Sequence, residues 1–174
     1  MRKKRLLQLT AALLCAVILS ACGGAPADAD YTCTVSISCA TILDNMDQCA
    51  ESKKELVPAD GVILPPTEVA FAEGESAFDV LQRVCRDNGI HLESKFTPMY
   101  NSAYIQGIHN IYEFDVGKLS GWMYAVNDWF PNYGCSLYQV QDGDVIRWVY
   151  TCDLGADVGG GQVAGDGQQE GTST

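Results

Sequence analysis

Between residues 32 and 39 the chain alternates polar and apolar positions, with Thr32, Thr34, Ser36 and Ser38 interleaved with Cys33, Val35, Ile37 and Cys39. A period of two marks a strand with one buried and one wet face. Val69 and Phe71 carry the same period into a second strand that stops at Glu73-Gly74. The period then changes: Phe78, Leu81, Val84 and Cys85 recur at helical spacing. Ser76 with Asp79 forms a capping-box pair, and Asn88-Gly89 is a stop signal, so a helix is predicted over 76–88. Beyond it, His91–Phe96, Tyr104–Ile108, Trp122–Val126 and Val145–Cys152 read as extended segments, the last launched by a turn at Asp142-Gly143. This order predicts an α+β fold in which one helix packs across one mixed sheet.

The two ends do not belong to that pattern. Arg2, Lys3, Lys4 and Arg5 precede an apolar run from Leu6 to Leu19, which closes on Leu19-Ser20-Ala21-Cys22. The run is shorter than the roughly 20 residues of a membrane-spanning helix and has the layout of a secretory signal. Its ending resembles a bacterial lipobox. Residues 1–21 are therefore expected to be removed and Cys22 to take the lipid, placing the protein on the extracytoplasmic face of a membrane. Residues 22–30 read as a tether, residues 31–158 as one domain, and residues 159–174, nearly free of apolar side chains, as a disordered tail.

Cleavage sharpens the charge. The whole chain has 11 basic and 22 acidic side chains, and losing the first 21 residues leaves seven basic ones, a formal charge of −15. A polyanion of that kind lacks the Lys and Arg that neutralise phosphates, so nucleic acid is excluded as a partner. Anionic headgroups would repel it too, leaving acyl chains as its hold on the membrane.

Six cysteines remain after Cys15 and Cys22 are set aside: Cys33, Cys39, Cys49, Cys85, Cys135 and Cys152. An even number in an exported domain predicts disulfides, with pairing left open. No Cys-x-x-Cys pair occurs, neither His91 nor His109 stands at ligand spacing, and no metal site is expected. Asp44, Asn45 and Asp47 lack the glycine and terminal glutamate of a calcium loop. Hydrolase, metalloprotease and nucleotide-binding motifs are missing as well, so a non-catalytic role is expected.

The informative stretch is Gly121 to Tyr150, which holds all three tryptophans and four of the eight tyrosines. Trp122 and Tyr124 share one strand face. Asn127-Asp128 turns the chain, and Trp129-Phe130-Pro131 follows where a polar loop would be usual. Successive side chains of an extended segment point opposite ways, so Trp129 and Phe130 cannot both enter one core. Either one of them is offered to a ligand or partner, or a small second cluster forms with Tyr133 and Tyr138.

The runs Gly-Trp-Met-Tyr-Ala-Val-Asn at 121–127, Phe-Pro-Asn-Tyr-Gly at 130–134 and Asp-Gly-Asp-Val-Ile-Arg-Trp at 142–148 resemble the transcobalamin-like C-terminal domain. Stand-alone versions of that domain occur on bacterial surface lipoproteins, largely as a domain of unknown function. The resemblance covers Tyr31 to Tyr150 and implies a β-grasp-like fold of the ligand-binding kind. It implies cobalamin or a related corrinoid as ligand, with no cofactor otherwise assigned, and Trp122, Tyr124, Asn127, Asp128, Trp129, Phe130, Asn132 and Tyr133 as the ligand-facing edge. In vitamin B12 carriers a helical toroid supplies the opposite wall, and this chain has none. A separate toroid-bearing corrinoid protein or a transporter is the implied partner, and a protein-docking role for the same edge is the alternative.

Overall fold

The computed structural model describes residue 26 and residues 28–160. The predicted alternation is realised in β1 (Tyr31–Ser38), where Cys33, Val35 and Ile37 are buried between partly exposed neighbours. β1 pairs antiparallel with β2 (Val62–Phe71) on one side and parallel with β7 (Val145–Thr151) on the other. β6 (Gly121–Val126) pairs antiparallel with β7, completing a mixed sheet in the order β2-β1-β7-β6.

β2 is longer than the pattern at Val69 and Phe71 implies because it runs on through Pro65-Pro66. Proline cannot donate to a ladder and survives here because β2 is an outer strand. The register shifts beside the prolines, where Val35 faces Thr67 but Ile37 faces Leu64.

The helix α1 (Ala77–Asp87) begins as its capping box predicts. Ser76 Oγ accepts from Asp79 N at 3.2 Å, and Asp79 Oδ2 accepts from Ser76 N at 2.9 Å. Its buried stripe is Ala77, Val80, Leu81, Val84 and Cys85, whereas Phe78 is only half-buried. The stripe is thus rotated slightly from the predicted one. Arg83 enters the interior beside it, donating to Ala70 O and to Glu75 Oε2, both at 2.9 Å, which ties the helix to the end of β2.

The remaining strands do not extend the first sheet. β3 (Leu92–Thr97), β4 (Ser102–Ile108) and the two-residue β5 (Ile111–Tyr112) form a second, antiparallel sheet. The expectation of a single sheet fails: Ile105, Ile108 and Ile111 share one buried core with Trp122 and Tyr124, but their strands are not hydrogen-bonded to the first sheet. Two buried polar groups stitch the sheets together: Trp122 Nε1 donates to Ile111 O at 2.8 Å, and Tyr150 OH donates to Tyr112 O at 2.7 Å.

The disulfide expectation is corrected. All six cysteines are free thiols, five of them buried. Cys33 lies on the inward face of β1 and Cys85 on the helix stripe, where a thiol packs as a small apolar group. Burial pushes the thiols of Cys33, Cys39, Cys85 and Cys135 up to about 12 and that of Cys152 up to about 11. Asp44 and Asn45 lie in a short 3-10 helix, Ala40–Asn45, in which Asn45 Nδ2 donates back to Thr41 O at 2.8 Å.

Cys22 and residues 161–174 lie outside the described residues. At the end of the described residues, Gly160 N donates to Gly155 O at 2.7 Å.

Candidate functional site

Strand directions decide which loops meet. Tyr31 at the start of β1 pairs with Phe71 at the end of β2, and Thr34 faces Val145 at the start of β7. β6 ends opposite that point, with Val126 facing Ile146. The connection from β6 to β7 therefore emerges at the end of the sheet where β1 begins. Ser136 in that connection pins the start of β4, its hydroxyl 2.9 Å from Ser102 Oγ and accepting from Ala103 N at 3.0 Å. The β3–β4 turn is thereby brought to the same end.

A groove of about 510 Å³ opens between these two segments. One wall is Lys95, Thr97, Tyr100 and Tyr104 from β3, β4 and their turn; the other is Pro131, Asn132, Tyr133 and Gly134. The walls are set close by glycine. A Cβ on Gly134 would lie 1.7 Å from Ser102 Oγ, so no side chain fits where the loop crosses β4.

The loop wall is built by a tight turn. Asn127 and Asp128 both have positive φ, 50° and 66°, and Val126 and Trp129 exchange two backbone hydrogen bonds across them. Asn and Asp are the non-glycine residues best suited to that left-handed turn. The chain then leaves extended, with Trp129 half-exposed at 52% and Phe130 buried at 8%. Alternation separates the two aromatics as the sequence requires. Trp129 packs edge-on against Tyr133, ring centres 6.0 Å apart.

The eight residues of the expected ligand edge thus divide. Asn132 and Tyr133 line the groove, and Trp129 flanks it through Tyr133. Trp122 and Tyr124 are core residues: Tyr124 stacks on Trp148 at 5.5 Å and donates to Tyr133 O at 3.0 Å, supporting the wall from behind. Asn127 is consumed by structure, its amide donating to the buried Asp144 carboxylate at 2.7 Å and accepting from Val145 N at 2.9 Å. Asp128 pairs with Arg147 at 3.0 Å on the surface, and Phe130 is buried against Gly160.

Sequence reasoning missed the opposite wall. Tyr100 and Tyr104 are exposed there, and Phe96 and Met99, outside the groove lining, are exposed beside them, Met99 at 84%. Their signal was present in Phe96-Thr97-Pro98-Met99-Tyr100, where large apolar residues occupy a turn just as they do at Trp129-Phe130-Pro131.

Groove electrostatics centre on Tyr104. Its hydroxyl donates to Glu113 Oε2 at 2.5 Å, and Lys95 Nζ lies 5.3 Å from its ring centre. Burial, helped by the neighbouring Glu113 carboxylate, pushes the Tyr104 hydroxyl up to about 12. Among the described residues, no group of three or more His, Cys, Asp or Glu is placed to hold a metal ion. The arrangement is an aromatic cleft with few polar groups, the ordinary make-up of a small-molecule site.

An α+β domain with a tyrosine-walled groove between its three-stranded sheet and the loop joining β6 to β7 is the class these features define. Residues 74–152 match the family model described as a domain of unknown function, DUF4430, a span that includes α1, the groove and the last strand. No curated protein sequence matches the chain. Among solved structures, haptocorrin in complex with Cbi is similar in fold, with a TM-score of 0.53 at 13% identity. The likeness covers 71% of this chain but 25% of that one, so this chain spans about a quarter of haptocorrin's length. A candidate metal-binding protein from Ruminococcus gnavus aligns over 70% of this chain and 97% of its own, with a TM-score of 0.42 at 15% identity.

Proposed function

We propose that this protein is a non-catalytic binding module that holds a flat, partly apolar molecule between Tyr100 and Tyr104 on one side and Pro131 and Tyr133 on the other. The observation that carries the reading is the two-walled tyrosine groove, its walls held close by the Gly134–Ser102 approach. Stacking on tyrosine faces and exclusion of water would supply most of the affinity. A corrinoid is the first ligand to try. The fold likeness to haptocorrin supports it, as does a β-grasp-like reading of the topology: an antiparallel β1–β2 hairpin, a helix, and a last strand parallel to β1. Lipid attachment at Cys22, with delivery to a toroid-bearing protein or a transporter, belongs to the same proposal and is supported by the signal-like start of the sequence.

Tryptophan fluorescence and equilibrium dialysis with cobalamin and cobinamide test it. Trp129 is the exposed tryptophan, while Trp122 and Trp148 are buried, so quenching reports mainly from beside the groove. Saturable quenching that Tyr133→Ala abolishes is the expected result. Absence of both quenching and retention at high micromolar ligand would sink the corrinoid reading.

Protein docking is a second reading, favoured by Phe96 and Met99, which are exposed outside the groove lining. Capture of a partner from the cell envelope that is lost in Phe96→Ala with Met99→Ala, but kept in Tyr133→Ala, would select it.

A further inference from the structure

The described region carries seven basic side chains, and five of them are ion-paired. Lys53 pairs with Asp115, Lys54 with Glu51, Arg83 with Glu75, Arg86 with Asp87 and Arg147 with Asp128. Lys95 and Lys118 have no such partner. Lys118 is exposed and takes no part in the groove, whereas Lys95 lies in the groove wall with its ammonium over the Tyr104 ring. In a chain with a 22 to 11 excess of acidic side chains, a cation without a carboxylate beside an aromatic cleft stands out chemically.

The other charged group of the groove is Glu113, and it is differently placed. It is half-buried, and one carboxylate oxygen already accepts a hydrogen bond from the Tyr104 hydroxyl. Lys95 is exposed on the rim and has all three N–H donors to offer. An incoming anion therefore meets an available cation first and a committed carboxylate deeper in.

We propose that the groove selects flat ligands carrying an anionic group, and that Lys95 is the residue that selects them. The proposal rests on the reading of the groove as a small-molecule site and adds the charge of its occupant. The ring system lies between the tyrosine walls, and the anion stays at the solvent-facing rim against Lys95. The excess acidity of the rest of the surface is screened beyond about 8 Å at physiological salt, so the local cation governs at contact distance. Because Lys95 is exposed and Glu113 shares the cleft, the preference is modest, roughly fivefold.

Two probes with the same rings test this on the full chain: 8-anilino-1-naphthalenesulfonate, which is anionic, and N-phenyl-1-naphthylamine, which lacks the sulfonate. Expected are binding of both, lost in Tyr133→Ala, a preference for the sulfonate that weakens with added salt, and loss of that preference in Lys95→Gln. Lys95→Arg should retain it, and Lys118→Gln should not alter it. Equal affinities in the wild type, or a preference unchanged in Lys95→Gln, overturn the proposal while leaving the groove a binding site. Failure of both probes, or binding indifferent to Tyr133→Ala, overturns the site itself and the charge selection with it. An unchanged thermal unfolding curve for Lys95→Gln shows that any loss is not a folding defect.

Discussion

The two sheets use aromatic residues in opposite ways. In the four-stranded sheet, Trp122, Tyr124, Trp148 and Tyr150 are all at or below 8% exposure, and three of their four polar tips make hydrogen bonds to the protein. The fourth, Trp148 Nε1, is buried without a partner. In the three-stranded sheet and its turn, Phe96, Tyr100 and Tyr104 stand open to solvent, and of these three Tyr104 alone has its tip engaged, with Glu113. Burial of an aromatic ring stabilises a fold; exposure of several together leaves that free energy for something that docks. One sheet is therefore the frame and the other the contact surface, with the 127–134 loop passing from the first to the second.

Substitutions separate the two uses. Trp148→Ala should have the largest effect, about 3–5 kcal/mol of stability, read from chemical denaturation; a smaller loss than Tyr100→Ala would refute the division. Gly134→Ala comes next, because its Cβ has no room against Ser102. A cost of about 1–3 kcal/mol is expected, with binding lost as the walls part. Tyr150→Phe removes the hydroxyl that joins Tyr112 O and Ser120, and should cost about 1 kcal/mol. Tyr100→Ala and Tyr133→Ala should shift stability by less than about 0.5 kcal/mol while removing ligand binding.

An alkaline titration gives the finest distinction. The folded protein holds the Tyr104 proton up to about pH 12, whereas an unfolded tyrosine releases it near 10. The unfolded chain thus binds fewer protons between those values, and the stability contributed by Tyr104 is present below pH 10 and lost as pH rises through 12. Tyrosinate absorbance should show Tyr104 titrating late in the wild type, and earlier in Glu113→Gln, which removes the neighbouring charge.

The frame was more legible in the sequence than the contact surface, and the reasons are physical. Burial imposes periodicity, so β1 and α1 could be read from Val35 and Ile37 and from the Ser76–Asp79 box. The division into two sheets could not, since Ile105 and Ile111 share one buried core with Trp122 and so show the same alternation as strands of a single sheet. At the site, alternation correctly separated Trp129 from Phe130. The Tyr100–Tyr104 wall went unread because it comes from a segment some 30 residues earlier, joined to the loop by contacts such as Ser102–Ser136. The cysteines misled for a related reason: their number invited pairing, whereas their positions on inward faces made them filling.

The central place of β1 bears on how the domain takes force. A pull on the chain ahead of Tyr31 enters a strand bonded on both sides, to β2 and to β7, and held at its first residues by Thr32 N on Asp142 Oδ1 at 3.0 Å and by Gly143 N on Thr32 O at 2.8 Å. Drawn along its own axis, β1 loads both ladders in shear together, whereas an outer strand such as β2 would load only one. The β6 ladder and the groove wall that hangs from it stay out of that load path. A domain tugged by its leading end would keep its groove intact until the frame itself gave way.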